Sequence, residues 1–167
     1  MDKKLAKRQK AAVKLLQNVE AERKPFCAAH VVPDYDGTKY QSFHNGFIGF
    51  MLKEELPDLP LIEPMNIVKT INETESRMQY GDTQHYKPSR RDIIEHIKKQ
   101  KLENKAKGVK EVITYHIGNH VYNAEYLISA MEILGGDIEL SQDESKRPTP
   151  GILKSENGKA IVMAVRP

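Results

Sequence analysis

Apolar residues recur at helical spacing near the start of the chain. Leu5, Ala12, Val13, Leu16 and Val19 mark one side, while Lys3, Lys4, Lys7, Lys10 and Lys14 occupy much of the rest. The pattern predicts an amphipathic helix over residues 3–20, ended by Pro25, whose ring cannot continue a helix. Residues 26–32 (FCAAHVV) are a short apolar run suited to a buried strand, and residues 34–37 carry the Asp and Gly of a turn. Residues 38–44 and 47–53 read as a strand pair around Asn45 and Gly46, the strongest short hairpin dipeptide.

The pattern then loosens. Pro57, Pro60, Pro64 and Pro88 punctuate a polar stretch, so residues 54–88 are expected to form an extended, partly mobile connection with one short strand at 66–71. A helix follows, with Ser89 as N-cap, Asp92 three residues on, a stripe of Ile93, Ile94 and Ile97, and Gly108 to stop it. From residue 111 the elements are compact. EVITYHIG predicts a strand, and Asn123 caps a helix from Ala124 to Leu134 that Gly135 and Gly136 end. DIELSQ, TPGILKS and KAIVMAVRP predict three further strands, with a turn at residues 156–158. The last strand is apolar on both faces (Ile161, Met163 and Val165 against Val162 and Ala164), which suits an interior strand covered on each side. Strand, helix and three strands thus close the chain. Residues 1–53 show the same helix–strand–strand–strand order without a clear leading strand, a weak internal repeat.

Length and composition narrow this picture. The 167 residues suit one domain, and 39% hydrophobic with 29% charged residues lies in the globular range. No apolar run approaches the roughly 20 residues needed to cross a bilayer, so no membrane is expected as partner. The opening MDKKLAKRQK lacks an apolar signal core, and a single cysteine, Cys27, excludes an internal disulfide framework. A cytoplasmic location is the expectation. Charge is segregated. Residues 1–24 and 89–110 each hold eight Lys/Arg against three Asp/Glu, whereas residues 111–145 hold seven acids and no Lys or Arg. Such segregation creates a field that steers a polyanion, or it marks solvated helix faces.

Catalytic chemistry finds little support. His116 and His120 are four apart but lie on a predicted strand and turn with no third ligand nearby, so no metal is expected. His44, His85 and His96 read as ordinary surface or core residues, and Cys27 as a buried, inert thiol. Asn72-Glu73-Thr74 fits a glycosylation acceptor, but no secretion signal accompanies it. There is no phosphate-binding loop, dinucleotide fingerprint or Gly-x-Ser-x-Gly turn, and the acid pairs Glu54–Glu55 and Asp143–Glu144 read as solvated loop charges. Tyr115, Tyr122 and Tyr126 read as core. The expectation is a protein with no catalytic residues and no cofactor.

The segments VYNAEYLISAMEIL, GDIELSQ and RPTPGILKSENGKAIVMAVRP resemble the closing unit of the bacterial sliding clamp, the beta subunit of the replicative polymerase. Tyr122, Asn123, Ala124, Tyr126, Leu127 and Met131 match that family's helix pattern. Pro150, Ile152 and Leu153 match its proline strand, and Met163, Ala164, Val165 and Arg166 its terminal motif. SFHNGFIGF places Asn45 and Gly46 at the family's hairpin step. The resemblance covers 111–167 and, more loosely, 1–53; residues 54–88 lie outside it. In two places the chain departs: the family's terminal Met-Pro is Met163-Ala164 here, and its final Leu is Pro167.

The resemblance implies an α+β, sliding-clamp-like single domain over 1–167, with helices on one face of an antiparallel sheet. Two repeated helix–strand–strand–strand units (1–53 and 111–167) would flank a mobile connection and basic helix at 54–110. It further implies a replication protein, as phages encode, that binds DNA non-specifically through Lys3, Lys4, Lys7, Arg8, Lys10 and Lys14 and acts as a scaffold or polymerase processivity accessory. Met163, Ala164, Val165 and Arg166, with Asn45 and Gly46, would form a groove for polymerase or another replication protein. A closed ring would need several copies, hence homo-oligomerisation. The acids Glu125 and Glu132 on the second unit's helix favour an alternative, a regulator that binds a basic surface of a host replication protein such as its clamp.

Overall fold

The computed structural model describes residues 2–17, 30–34, 36–59, 67–145 and 148–166. Its elements in chain order are α1 (Lys3–Gln17), β1 (His30–Pro33), β2 (Lys39–His44), β3 (Ile48–Leu52), α2 (Ile67–Met78), β4 (Thr83–Tyr86), α3 (Arg90–Lys107), β5 (Thr114–Ile117), β6 (His120–Asn123), α4 (Ala124–Leu134), β7 (Glu139–Asp143), β8 (Gly151–Ser155) and β9 (Gly158–Val162). Seven strands form one sheet in the order β1-β2-β3-β9-β8-β7-β4, and β5 with β6 forms a separate hairpin. Every described pairing is antiparallel. The protein is therefore α+β, with four described helices and an antiparallel main sheet.

Two three-stranded meanders, β1-β2-β3 and β7-β8-β9, meet at the centre of the sheet. There β3 pairs with β9 from Ile48 opposite Val162 to Leu52 opposite Gly158. A helix precedes each meander in the chain, α1 the first and α4 the second, and these two helices pack on each other. Strand alternation explains the core beneath them. Ile48, Phe50 and Leu52 of β3, Ala160 and Val162 of β9 and Leu153 of β8 join Ala12, Leu15, Leu16, Leu127, Ala130 and Ile133 in one cluster. Phe43 and Phe50 stack within it, ring centroids 4.8 Å apart.

The opposite positions of the same strands are apolar too. Met51, Ile152 and Ile161 point away from α1 and α4 and pack on Val68, Ile71 and Met78 of α2. Two expectations change here. Helices do not all lie on one face of the sheet, because α2 covers the other, and residues 67–71 of the short strand expected at 66–71 belong to a helix inside the supposed connection, residue 66 lying outside the described residues. Val68, Ile71, Glu75 and Met78 recur at helical spacing, and a sheet with two apolar faces needs a second cover. Glu75 secures the cover, with Oε1 2.6 Å from the Lys159 ammonium and Oε2 paired to Lys154. β9 lies between α4 and α2, as an interior strand apolar on both faces should.

Local signals account for most element ends. Ser89 accepts from the Asp92 N–H, and Gly108 stops α3 in the left-handed region. Asn123 accepts from the N–H groups of Glu125 and Tyr126, and the Gly135 N–H donates to Met131 O. Asn45 Oδ1 accepts from Phe47 and Ile48 in the β2–β3 turn. The pattern did not reveal β6. Residues 120–123 turn back on β5 at Gly118, which has φ +55, before α4 begins. Residues 18–20 of the expected first helix, and residues 26–29 of the expected strand with Cys27, lie outside the described residues.

Candidate nucleic-acid interface

α1 divides its basic residues in two. Lys3, Lys4, Lys7, Lys10 and Lys14 are exposed along one side, while Ala12, Leu15 and Leu16 on the other enter the core. Arg8 belongs with the core and departs from its expected place among the DNA-binding residues. It is 7% exposed, its Nε–H donates to Ile133 O at 2.8 Å, and its Nη1 lies 3.4 Å from Glu54 Oε2. A helix ends with unpaired carbonyls and a partial negative charge, and Arg8 supplies α4 with both a donor and a cation there. Asn157 assists, its Nδ2 donating to Leu134 O at 2.7 Å.

The acids of α4 each meet a cation of α3. Lys101 of α3 lies 3.0 Å from Glu125 Oε1, and Arg90 lies 2.7 Å from Glu132 Oε1. These pairs run α3 antiparallel to α4. Arg8 against Ile133 runs α1 antiparallel to α4 as well, so the two basic helices are parallel to each other. Between them lies a groove of about 480 Å³, with Lys14 on the α1 side, Lys98 and Lys101 on the α3 side, and Tyr126, Ile128 and Ser129 on its floor. A larger cleft of about 1020 Å³ opens at the C-terminal end of α4. Its charge is mixed, with Lys4, Lys7 and Lys87 facing Asp137, Glu139 and Glu156. Sequence reasoning missed the part played by Lys98 and Lys101. The basic run of α3 was legible, but its placement across α4 from α1 depends on a tertiary contact.

The tail and the hairpin turn meet. The Met163 N–H donates to Phe47 O at 3.0 Å, and the Val165 N–H to Val121 O at 2.7 Å, with Ala164 bridging Tyr122. Residues 163–166 therefore run between the β2–β3 turn and β6. Asn45 is buried within its own turn and Gly46 is exposed. Phe47 and Met163 are each about half exposed, and the Phe47 ring stacks on Tyr126 with centroids 6.2 Å apart.

The second acid pair corrects its sequence reading, for Asp143 and Glu144 are not solvated. Asp143 is 3% exposed and accepts from the Asp82 N–H at 3.1 Å. Glu144 Oε1 accepts from Tyr86 Oη at 2.6 Å and Gln142 Nε2 at 2.7 Å, and Oε2 from the Asn119 N–H at 3.0 Å. Burial pushes the Glu144 carboxyl up, but these hydrogen bonds and the nearby His120 reverse the effect and hold it below its ordinary value. Tyr122 Oη donates to Gln142 at 2.6 Å, and burial pushes its phenol far up. The network fastens the β5–β6 hairpin to β4 and β7. His116 is exposed and His120 buried with Nε2 facing Thr149, so the two histidines do not converge on a metal. Among the described residues no group of three or more His, Cys, Asp or Glu is placed to hold one. His85, Ser141 and Glu139 do come together, but Ser141 Oγ and Glu139 Oε1 approach the same nitrogen, Nδ1, at 2.8 and 3.3 Å. A nucleophile relay needs the acid and the hydroxyl on opposite ring nitrogens, and this trio lacks that order. No described helix is long and apolar enough to cross a membrane.

No protein-family model matches the sequence, and no curated protein matches it. Among solved structures, the DNA polymerase III subunit beta of Borrelia burgdorferi, determined in complex with a natural product, superposes with a TM-score of 0.46 at 9% identity. The alignment covers 97% of this chain and 62% of that one, so the chain spans less than two thirds of the protein it aligns with.

Proposed function

We propose that this chain is a non-enzymatic, sliding-clamp-like protein of DNA replication that holds DNA without reading its sequence and serves as a scaffold or processivity accessory to a polymerase. The observation that carries the reading is α1. Five lysines lie exposed along one side while the core takes up the other, so the helix can face a polyanion without rearranging. The sequence resemblance of residues 111–167 supports it. So does the helix-then-meander order on each side of the β3–β9 joint, which we read as two copies of one unit. Lysines on flexible stems meet phosphates without base contacts, so affinity falls steeply with salt and depends little on sequence.

Changing Lys3, Lys4, Lys7, Lys10 and Lys14 together to Ala should remove salt-dependent DNA binding in a filter or anisotropy assay. A salt slope equal to that of the unaltered protein would sink the role of α1. For the ring version, light scattering that found a strict monomer with no DNA retention at low salt would be decisive against it. The alternative, a regulator of a host replication protein, rested partly on Glu125 and Glu132. Those acids are occupied by Lys101 and Arg90. What still favours the alternative is the altered tail at Ala164. A pull-down from bacterial lysate that recovered no clamp or polymerase component would count against it.

A further inference from the structure

The two outer strands of the main sheet differ at their free edges. In an antiparallel ladder alternate residues turn their N–H and C=O groups toward the neighbouring strand, and the residues between them turn theirs away. The Asp34 N–H donates to Thr38 O at 2.7 Å, in register with the β1–β2 pairs, so the backbone groups of His30 and Val32 face β2 and those of Val31 and Pro33 face outward. Pro33 has no N–H to offer, and a proline at an outward position blunts an edge. At the opposite edge the Glu144 N–H donates to Asp82 O at 2.8 Å, in register with the β4–β7 pairs. Gln84 and Tyr86 therefore bond toward β7, and the backbone groups of Thr83 and His85 face outward.

Apart from its shortness, β4 lacks the features that keep an edge from pairing. Its residues Thr83, Gln84, His85 and Tyr86 include no Lys, Pro or acid. Gln84 and His85 point to opposite faces of the sheet and both are exposed, so both faces of this edge are open to solvent. Among the described residues the outward N–H and C=O groups of Thr83 and His85 have no hydrogen-bond partner. Tyr80, just before the strand, is 83% exposed.

This edge is complementary to itself. Outward residues must stand opposite outward residues, so a second β4 running the other way can be centred on Gln84 or on His85. Centring on His85 sets that imidazole against its own copy. Centring on Gln84 places Thr83 opposite His85 of the second copy, and His85 opposite its Thr83, each pair exchanging both N–H···O bonds. Gln84 then meets Gln84, an amide that both donates and accepts. Asp82 stands opposite Tyr86 and beside Lys87 of the second copy, so the formal charges flanking the strand approach as opposites.

We propose that β4 is the seam of a two-fold dimer, with β4 of one copy paired antiparallel to β4 of a second and Gln84 on the axis. Tyr80 lies at the end of the strand that Lys87 and Pro88 of the second copy approach, and it packs there. So short a seam buries little area, so the dimer forms with rising concentration and is not obligate. Pairing of like edges closes at two copies. A head-to-tail arrangement of β4 on β1 of a second copy could continue further, but Val31 alone of the outward residues of β1 has an N–H to donate. The seam contains no residue of α1, so it stands or falls independently of DNA binding.

The test is sedimentation equilibrium of the full chain over a range of concentrations. Gln84→Lys and Gln84→Glu each set like charges against each other on the axis and should raise the dimer dissociation constant at least about tenfold. An equimolar mixture of the two variants should restore association, because each new ammonium then meets a carboxylate. Gln84 is exposed, so the fold of both variants should persist by circular dichroism. The α1 lysine variant should dimerise as the unaltered chain does. Several results would overturn the proposal: a monomer at every concentration, species larger than the dimer, variants that dimerise unchanged, or a mixture that associates no better than its components.

Discussion

Arg8 shows how one residue type serves two purposes within one helix. Its neighbours Lys7 and Lys10 hold their charge in water, whereas Arg8 lies under α4 and donates to Ile133 O. Arg8→Ala should therefore lower stability by about 2 kcal/mol, because it strips a buried carbonyl of a charged donor. Lys7→Ala should leave stability within about 0.5 kcal/mol. Chemical denaturation and DNA titration of both variants separate the roles, and DNA affinity should fall only for the lysine variant. Glu75 and Glu144 carry a second consequence at this scale. Burial raises each carboxyl, but Lys154 and Lys159 at Glu75, and the donors around Glu144, bring both below the ordinary 4.5. The folded chain thus releases these protons at lower pH than the unfolded chain does. Their stabilisation is complete above that ordinary value and disappears as pH falls through the folded values. Urea unfolding across acidic pH should show the loss. Glu144→Gln should be less stable at neutral pH and should lose less on acidification. None of this was legible beforehand, because an Asp-Glu pair in a polar stretch gives no sign that Tyr86 and Gln142 will enclose it.

Elements with local instructions were legible. Asn123, Ser89, Gly108 and Gly135 each place a polar cap or a turn residue where backbone groups would otherwise go unpaired, and α3 and α4 begin and end there. Asn123→Ala should cost about 1 kcal/mol of stability, measured by thermal or chemical unfolding. α2 was not legible as a helix, since its apolar stripe is only Val68, Ile71 and Met78 among polar residues and its cover is needed only once the sheet exists. β6 was hidden for a different reason. Four residues that alternate between buried and half-buried sit directly against a helix N-cap, and they read as part of that helix's approach. The candidate interface was half legible: the lysines of α1 follow from periodicity. The α3 wall, with Lys98 and Lys101 opposite Lys14, follows from ion pairs to α4 that only the folded chain brings together.

At the scale of the molecule, a helix bearing acids lies between two helices bearing bases, and its Glu125 and Glu132 pair with Lys101 and Arg90 of α3, not with the lysines of α1. The DNA titration described above tests this arrangement. The sheet beneath has a consequence of its own. Its central joint pairs β3 with β9, strands more than a hundred residues apart in the chain. During synthesis the first meander emerges long before its partner exists, so β3 waits with one hydrogen-bonding edge bare and apolar side chains on both faces. Closing so long a loop is slow to bring contacts in return, so refolding should lag behind that of helical proteins of similar size. A fragment ending after α3 should aggregate when made alone, and supplying the remaining segment in trans should restore solubility. Turbidity with and without the second fragment would measure it. The seam that unites the finished sheet is, for the nascent chain, its longest exposure to the wrong neighbour.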